Sequence, residues 1–236
     1  MATESWHAFY ASDLQGTWAL LLVPALFLLY WAASGGPSRL RAPDFRDRFI
    51  ELYALVFCIE TMVDPLATGP LTKGLALGDA GATAVMLLFV LLGDFRVFLL
   101  IFGMAGRGTA GFLREAALFT LIVPIPAWTA DFLLRQVVDD LPAQTLWIFY
   151  EAGFATMALV LRSFVIPKRC APDDPAYAPL RRAATFAAVY YGLWLTSDLL
   201  IVVGGLEVGW LLRVVPNQLY YSFWIPFVYA SWPARR

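Results

Sequence analysis

The stretch AGATAVMLLFVLLGDFRVFLLIFGM, residues 80–104, decides the fold of this chain. A helix needs about 20 mostly apolar residues to cross the hydrocarbon core of a bilayer, and this stretch exceeds that length. Its charged residues are Asp94 and Arg96. In water a helix of this kind would expose an apolar surface large enough to aggregate. In a bilayer the same surface meets lipid.

Six more stretches of the same kind lie around it, at residues 17–33, 49–69, 112–134, 143–167, 183–204 and 208–232. Of the 236 residues, 60% are hydrophobic and 15% charged. The charged share falls well short of the rough quarter usual for soluble domains. The connections are short and carry helix breakers, among them Gly35-Gly36-Pro37, Gly69-Pro70, Gly106 to Gly108, Leu141-Pro142 and Gly204-Gly205. The expectation is a single all-α domain over residues 1–236, a polytopic bundle of seven transmembrane helices.

Orientation follows from Lys and Arg in short connections, which stay on the cytoplasmic side. The first connection holds Arg39, Arg41, Arg46 and Arg48, and the third holds Arg107 and Arg114. Lys168, Arg169, Arg181 and Arg182 mark the fifth, and Arg235 and Arg236 the tail. The second and fourth connections hold only Lys73 and Arg135, and the first 16 residues hold neither residue type. This bias predicts an extracytoplasmic N-terminal segment (residues 1–16), cytoplasmic loops at 35–48 and 168–182, and a cytoplasmic C-terminus. The N-terminal segment has acidic Glu4 and Asp13 but no basic residue, unlike a cleaved signal. Its Trp6, Phe9, Tyr10 and Leu14 fall at helical spacing, which fits a short helix in the outer interface. Trp18, Trp31, Trp147, Trp210 and Trp232 fall near span ends, where an aromatic belt is expected. Usage rich in Ala, Leu and Arg and poor in Lys suggests a bacterial inner membrane.

Composition also excludes. A net charge of −1 offers no basic face for nucleic acid. His7 is the sole histidine, and Cys58 and Cys170 fall at different depths, so neither a haem, a zinc site nor a disulfide is expected. Microbial rhodopsins share the expected helix count and orientation but hold retinal on a helix-seven lysine. Lys73 and Lys168 both lie in connections, which excludes that Schiff base. No cofactor is expected.

Ionisable groups within spans are expensive, and they mark either function or pairing between helices. Helical depth puts Glu60, Asp64, Asp94, Glu151, Asp198, Arg213 and Asn217 between the midplane and the outer surface. Glu51, Glu115 and Arg162 fall near the inner interface, where snorkelling to water is expected. Glu60 and Asp64 share a helix face at i, i+4, whereas Asp94 and Arg96 at i, i+2 need partners on other helices. Tyr190, Trp194 and Asp198 form one stripe, and Arg213, Asn217, Tyr220 and Trp224 another. Facing the bundle axis, these stripes would wall an outward polar cavity, with Arg213 as counter-ion for Glu151 or Asp198. Carboxylates among aromatic rings suit an ammonium group.

The expected function is binding or transport of a small polar or cationic solute, coupled to protons through the buried acids. The expected partners are the lipid bilayer and that solute, with a homo-oligomer or a membrane complex as further associations. A second reading makes the chain a structural subunit of a larger membrane complex, its acids serving only as bundle glue. A third makes it an intramembrane enzyme using Glu60 and Asp64 as paired carboxylates.

Overall fold

The computed structural model describes residues 5–105 and 111–232. Glu4, Arg107, Arg235, Arg236, Gly106 and Gly108 lie outside the described residues. Among the described residues all regular structure is helical. The elements are α1 (Trp6–Tyr10), α2 (Leu14–Ala33), α3 (Phe45–Leu66), α4 (Gly78–Ala105), α5 (Phe112–Leu134), α6 (Gln144–Arg169), α7 (Tyr177–Val202) and α8. Helix α8 starts as Val208–Asn217, widens into a π-helical stretch at Gln218–Phe223 and ends as Trp224–Ser231.

Five of these, α2, α4, α5, α6 and α7, are long and apolar enough to cross a membrane. Helices α3 and α8 lie among them and carry much of the polar inventory. Helix α4 extends slightly beyond the expected 80–104 at both ends. Helix α7 begins at Tyr177, so Arg181 and Arg182 belong to its first turns and not to a loop. Lys168 and Arg169 likewise end α6, which narrows the 168–182 connection. The 35–48 connection contains a helical turn, Gly36–Arg39, and α3 starts within it, its Asp44 carboxylate accepting from the Asp47 amide at 3.0 Å.

Proline marks the irregular points, because it lacks an N–H and clashes with the preceding turn. Helix α5 breaks at Ile122 and Val123, ahead of Pro124. In α8 the π-helical stretch follows Pro216 directly after Asn217.

Contacts across the bundle show that successive helices run antiparallel. Arg162 of α6 meets Thr185 of α7, and further along Glu151 faces Asp198. Phe186 of α7 stacks on Phe227 of α8 at 4.3 Å, and Trp194 reaches Asn217. Cys58 of α3 donates to the Pro24 carbonyl of α2 at 3.2 Å. Helix α1 packs on the start of α8, where the His7 ring lies 4.3 Å from that of Trp210.

Two inner-end expectations are corrected. Glu51 is 1% exposed. It accepts from Trp31 Nε1 (2.7 Å), Arg39 Nε (2.8 Å) and the Tyr229 hydroxyl. Three elements therefore close over a carboxylate that depth alone would have sent to water. Trp31 is buried in this same cluster, under Gly36, and not in an interface belt.

Helices α7 and α8 cross closely at Gly209, where an added Cβ would come within 2.7 Å of the Ser197 carbonyl and 3.2 Å of the Ile201 amide. Both are backbone atoms and cannot swing away. Gly209→Ala is expected to cost about 1–3 kcal/mol through overpacking. Gly192→Ala meets nothing within 4 Å and is expected to be neutral or mildly stabilising. Thermal unfolding of the purified protein checks the pair, and a wild-type midpoint for Gly209→Ala contradicts the close crossing.

Candidate functional site

Asp94 and Arg96 sit two positions apart on α4 and turn to different sides of it. Asp94 is 2% exposed and accepts hydrogen bonds from the hydroxyls of Tyr150 on α6 and Tyr191 on α7. Arg96 is 1% exposed and points toward α3 and α8. Its guanidinium donates to Thr61 Oγ1 (3.1 Å) and to the Tyr220 carbonyl (2.7 Å), and lies 3.7 Å from Glu60. The Tyr220 ring stacks against it, 4.1 Å from centre to centre, a cation–π contact. The accepting carbonyl belongs to the π-helical stretch, where the wider turn offers carbonyls to side chains.

On the Asp94 side a cavity of about 350 Å³ opens between α1, α4, α6, α7 and α8. Asp94 lines it together with Met86 and Val90 of the same helix. Helix α6 contributes Gln144, Trp147, Tyr150 and Glu151, and α7 contributes Tyr191 and Trp194. Helix α8 contributes Trp210, Arg213, Asn217, Tyr220 and Tyr221. Tyr10 of α1 completes the wall, with its hydroxyl 3.3 Å from Arg213 Nε and from Asn217 Nδ2. Trp194 Nε1 donates to Asn217 Oδ1 at 2.8 Å, which fixes the amide between the two helices.

Charge in the wall is arranged around Arg213. Its guanidinium binds Asp198 directly and lies 4.0 Å from Glu151. The two carboxyl groups are also close enough to hydrogen-bond one another. Glu151 Oε2 and Asp198 Oδ2 are buried and accept from no donor among the described residues. Two acids thus share one cation, and among the described residues the hydrogen bonds to Asp94, a third acid, come from neutral hydroxyls.

Of the residues singled out by sequence, Asp94, Glu151, Trp194, Arg213, Asn217 and Tyr220 line this cavity. Asp198 lies behind Arg213, and Tyr190 lies under the Tyr191, Trp194 and Tyr220 rings, both at 0% exposure. The α7 stripe is turned by about one residue from the expected face, so Tyr191 faces the cavity in place of Tyr190. Glu60 and Asp64 stand outside the lining. Glu60 pairs with Arg96, and Asp64 meets Thr68 and Tyr221. Trp224 is likewise buried away from the cavity, donating to the Tyr53 hydroxyl at 2.8 Å. Among the described residues no group of three or more His, Cys, Asp or Glu stands ready for a metal ion.

The sequence reading missed Tyr150 and Tyr191 as site residues, and it read Tyr10 and Trp210 as interface aromatics. A signal existed for the two tyrosines: a phenol in the middle of an apolar span needs a partner for its hydroxyl. Gly93 is a further silent participant. The Tyr220 hydroxyl occupies the space a Cβ would take there, at 1.6 Å.

No known family, characterised protein or solved structure is detectably similar to this chain.

Removing one partner of a buried ion pair strands the others, at about 3–5 kcal/mol. Arg213→Ala leaves both Glu151 and Asp198 uncompensated and is expected to lose stability of that order. Adding Glu151→Gln and Asp198→Asn is expected to restore most of it. Unfolding midpoints of the single and triple variants check the coupling, and additive losses contradict it.

Proposed function

We propose that the chain is an integral protein of a bacterial-type inner membrane in which α2 to α8 all cross the bilayer. The N-terminus lies outside and the C-terminus in the cytoplasm. Arginine supports this: Arg39, Arg41, Arg46, Arg48, Arg169, Arg181 and Arg182 gather at the bundle end opposite the cavity. A membrane-impermeant thiol reagent on intact cells is expected to label a cysteine placed at Ser5 and to spare one placed at Arg41. The reverse pattern overturns the orientation.

The protein binds or transports a small cationic solute through the cavity at its outer end. The observation that carries this reading is Asp94, a buried carboxylate at the wall of an aromatic-lined cavity that no cation among the described residues meets at ion-pair distance. Tyr150 and Tyr191 orient its oxygens, and the rings of Trp147, Trp194 and Tyr220 offer π-faces to an ammonium group. A cavity of about 350 Å³ matches the lower range of small-molecule sites. Glu151 and Asp198 supply the means of coupling. One proton on the pair balances the charge around Arg213, and its loss changes what Arg213 holds. Packing alone does not call for a cavity walled by acids, which argues against the bundle-glue reading.

Reconstituted in vesicles, the protein is expected to bind or take up small organic ammonium compounds saturably. Asp94→Asn keeps the two tyrosine contacts but removes the charge, so it is expected to weaken binding at least tenfold with little change in unfolding midpoint. Wild-type affinity in Asp94→Asn would sink the reading.

A further inference from the structure

At the bundle end opposite the cavity, three arginines converge without a carboxylate. Arg162 lies in the last turns of α6, and Arg181 and Arg182 in the first turns of α7. Among the described residues Arg39, Arg46, Arg135 and Arg169 each hold a carboxylate. Arg162, Arg181 and Arg182 do not: Arg162 Nε donates to Thr185 Oγ1 (2.9 Å) and Arg181 Nη1 to the Tyr177 hydroxyl (3.3 Å). Arg181 Nε is buried with no hydrogen-bond partner.

The three arginines line a groove of about 570 Å³ whose remaining wall is largely apolar. Phe186 and Val189 of α7 and Leu219 and Phe227 of α8 form its wall, and Val189 is half exposed. By helical rise, Val189 lies about 12 Å along α7 from Arg181. The site therefore joins a cluster of guanidinium donors to an apolar track one acyl segment long.

We infer that this groove holds an anionic phospholipid of the cytoplasmic leaflet, its phosphate on Arg162, Arg181 and Arg182 and one acyl chain along Phe186 and Val189. Charge complementarity selects the headgroup: guanidinium forks suit phosphate oxygens, and an anionic leaflet supplies them. The apolar wall selects a lipid over a free anion, which would leave that wall empty. The inference rests on the proposed membrane topology and is independent of the solute.

The test is native mass spectrometry of the full chain in detergent, titrated with phosphatidylglycerol and with phosphatidylcholine of identical chains. The wild type is expected to hold phosphatidylglycerol at least tenfold more tightly. R162Q/R181Q/R182Q is expected to abolish that preference, while R41Q/R48Q/R114Q, which removes as many charges from the same end, keeps it. Val189→Trp fills the apolar track without touching an arginine and is expected to weaken phosphatidylglycerol binding at least fivefold, which covers a triple variant that fails to fold. Millimolar glycerol phosphate is expected not to displace the lipid. Equal retention of the two lipids by the wild type overturns the inference, as does full retention by Val189→Trp. Displacement by glycerol phosphate makes the site one for a soluble anion and overturns the lipid assignment. A preserved lipid preference with no ammonium binding at Asp94 discards the solute reading alone.

Discussion

A guanidinium in the middle of an apolar bundle cannot be left unpaired, and Arg96 shows what meeting that constraint requires. An arginine at the centre of a membrane helix costs about 3 kcal/mol even by lenient measures. Arg96 is met by Thr61 and Glu60 from α3, and by a backbone carbonyl and two rings from α8. Around it Tyr53 donates to the Arg96 carbonyl at 3.0 Å, and Trp224 donates to Tyr53. One buried charge thus ties three helices together and sets the register between them. The π-helical stretch of α8 belongs to the same solution, since it turns the Tyr220 carbonyl toward α4.

The cavity depends on this arrangement. With Arg96 anchored toward α3 and α8, Asp94 two residues earlier faces α6 and α7, where the Tyr150 and Tyr191 hydroxyls meet it. Tyr220 works on both sides: its carbonyl and ring hold Arg96, and its side chain closes the cavity over Gly93. The buried acids differ in their partners. Glu51 and Glu60 are matched by their own cations. Glu151 and Asp198 share Arg213, and each keeps one oxygen without a donor among the described residues. Asp94 lines the cavity and is met by the Tyr150 and Tyr191 hydroxyls.

Much of this was legible in the sequence, and the limits have physical reasons. Long apolar runs disclosed the helices because a bilayer imposes their length. Spacing within one helix disclosed that Asp94 and Arg96 need separate partners. Facing between helices was not legible, because helical period says which residues share a side and not which neighbour that side meets. So Glu60 and Asp64 were drawn into a cavity they stand outside, and Tyr190 was chosen where Tyr191 faces in. Glu51 shows the same limit in depth. Its position near a helix end suggested water, but the packing of Trp31, Arg39 and Tyr229 encloses it.

On the proposed function, the cavity beside Asp94 receives a cation. Trp147, Trp194 and Trp210 line it, so their fluorescence reports its occupancy directly. The decisive measurement is a fluorescence titration of the purified protein with a panel of small ammonium compounds and their uncharged carbon isosteres. A saturable change is expected with at least one ammonium compound and none with its neutral isostere. No saturable response from any cation, or an equal response from the neutral partner, would contradict it.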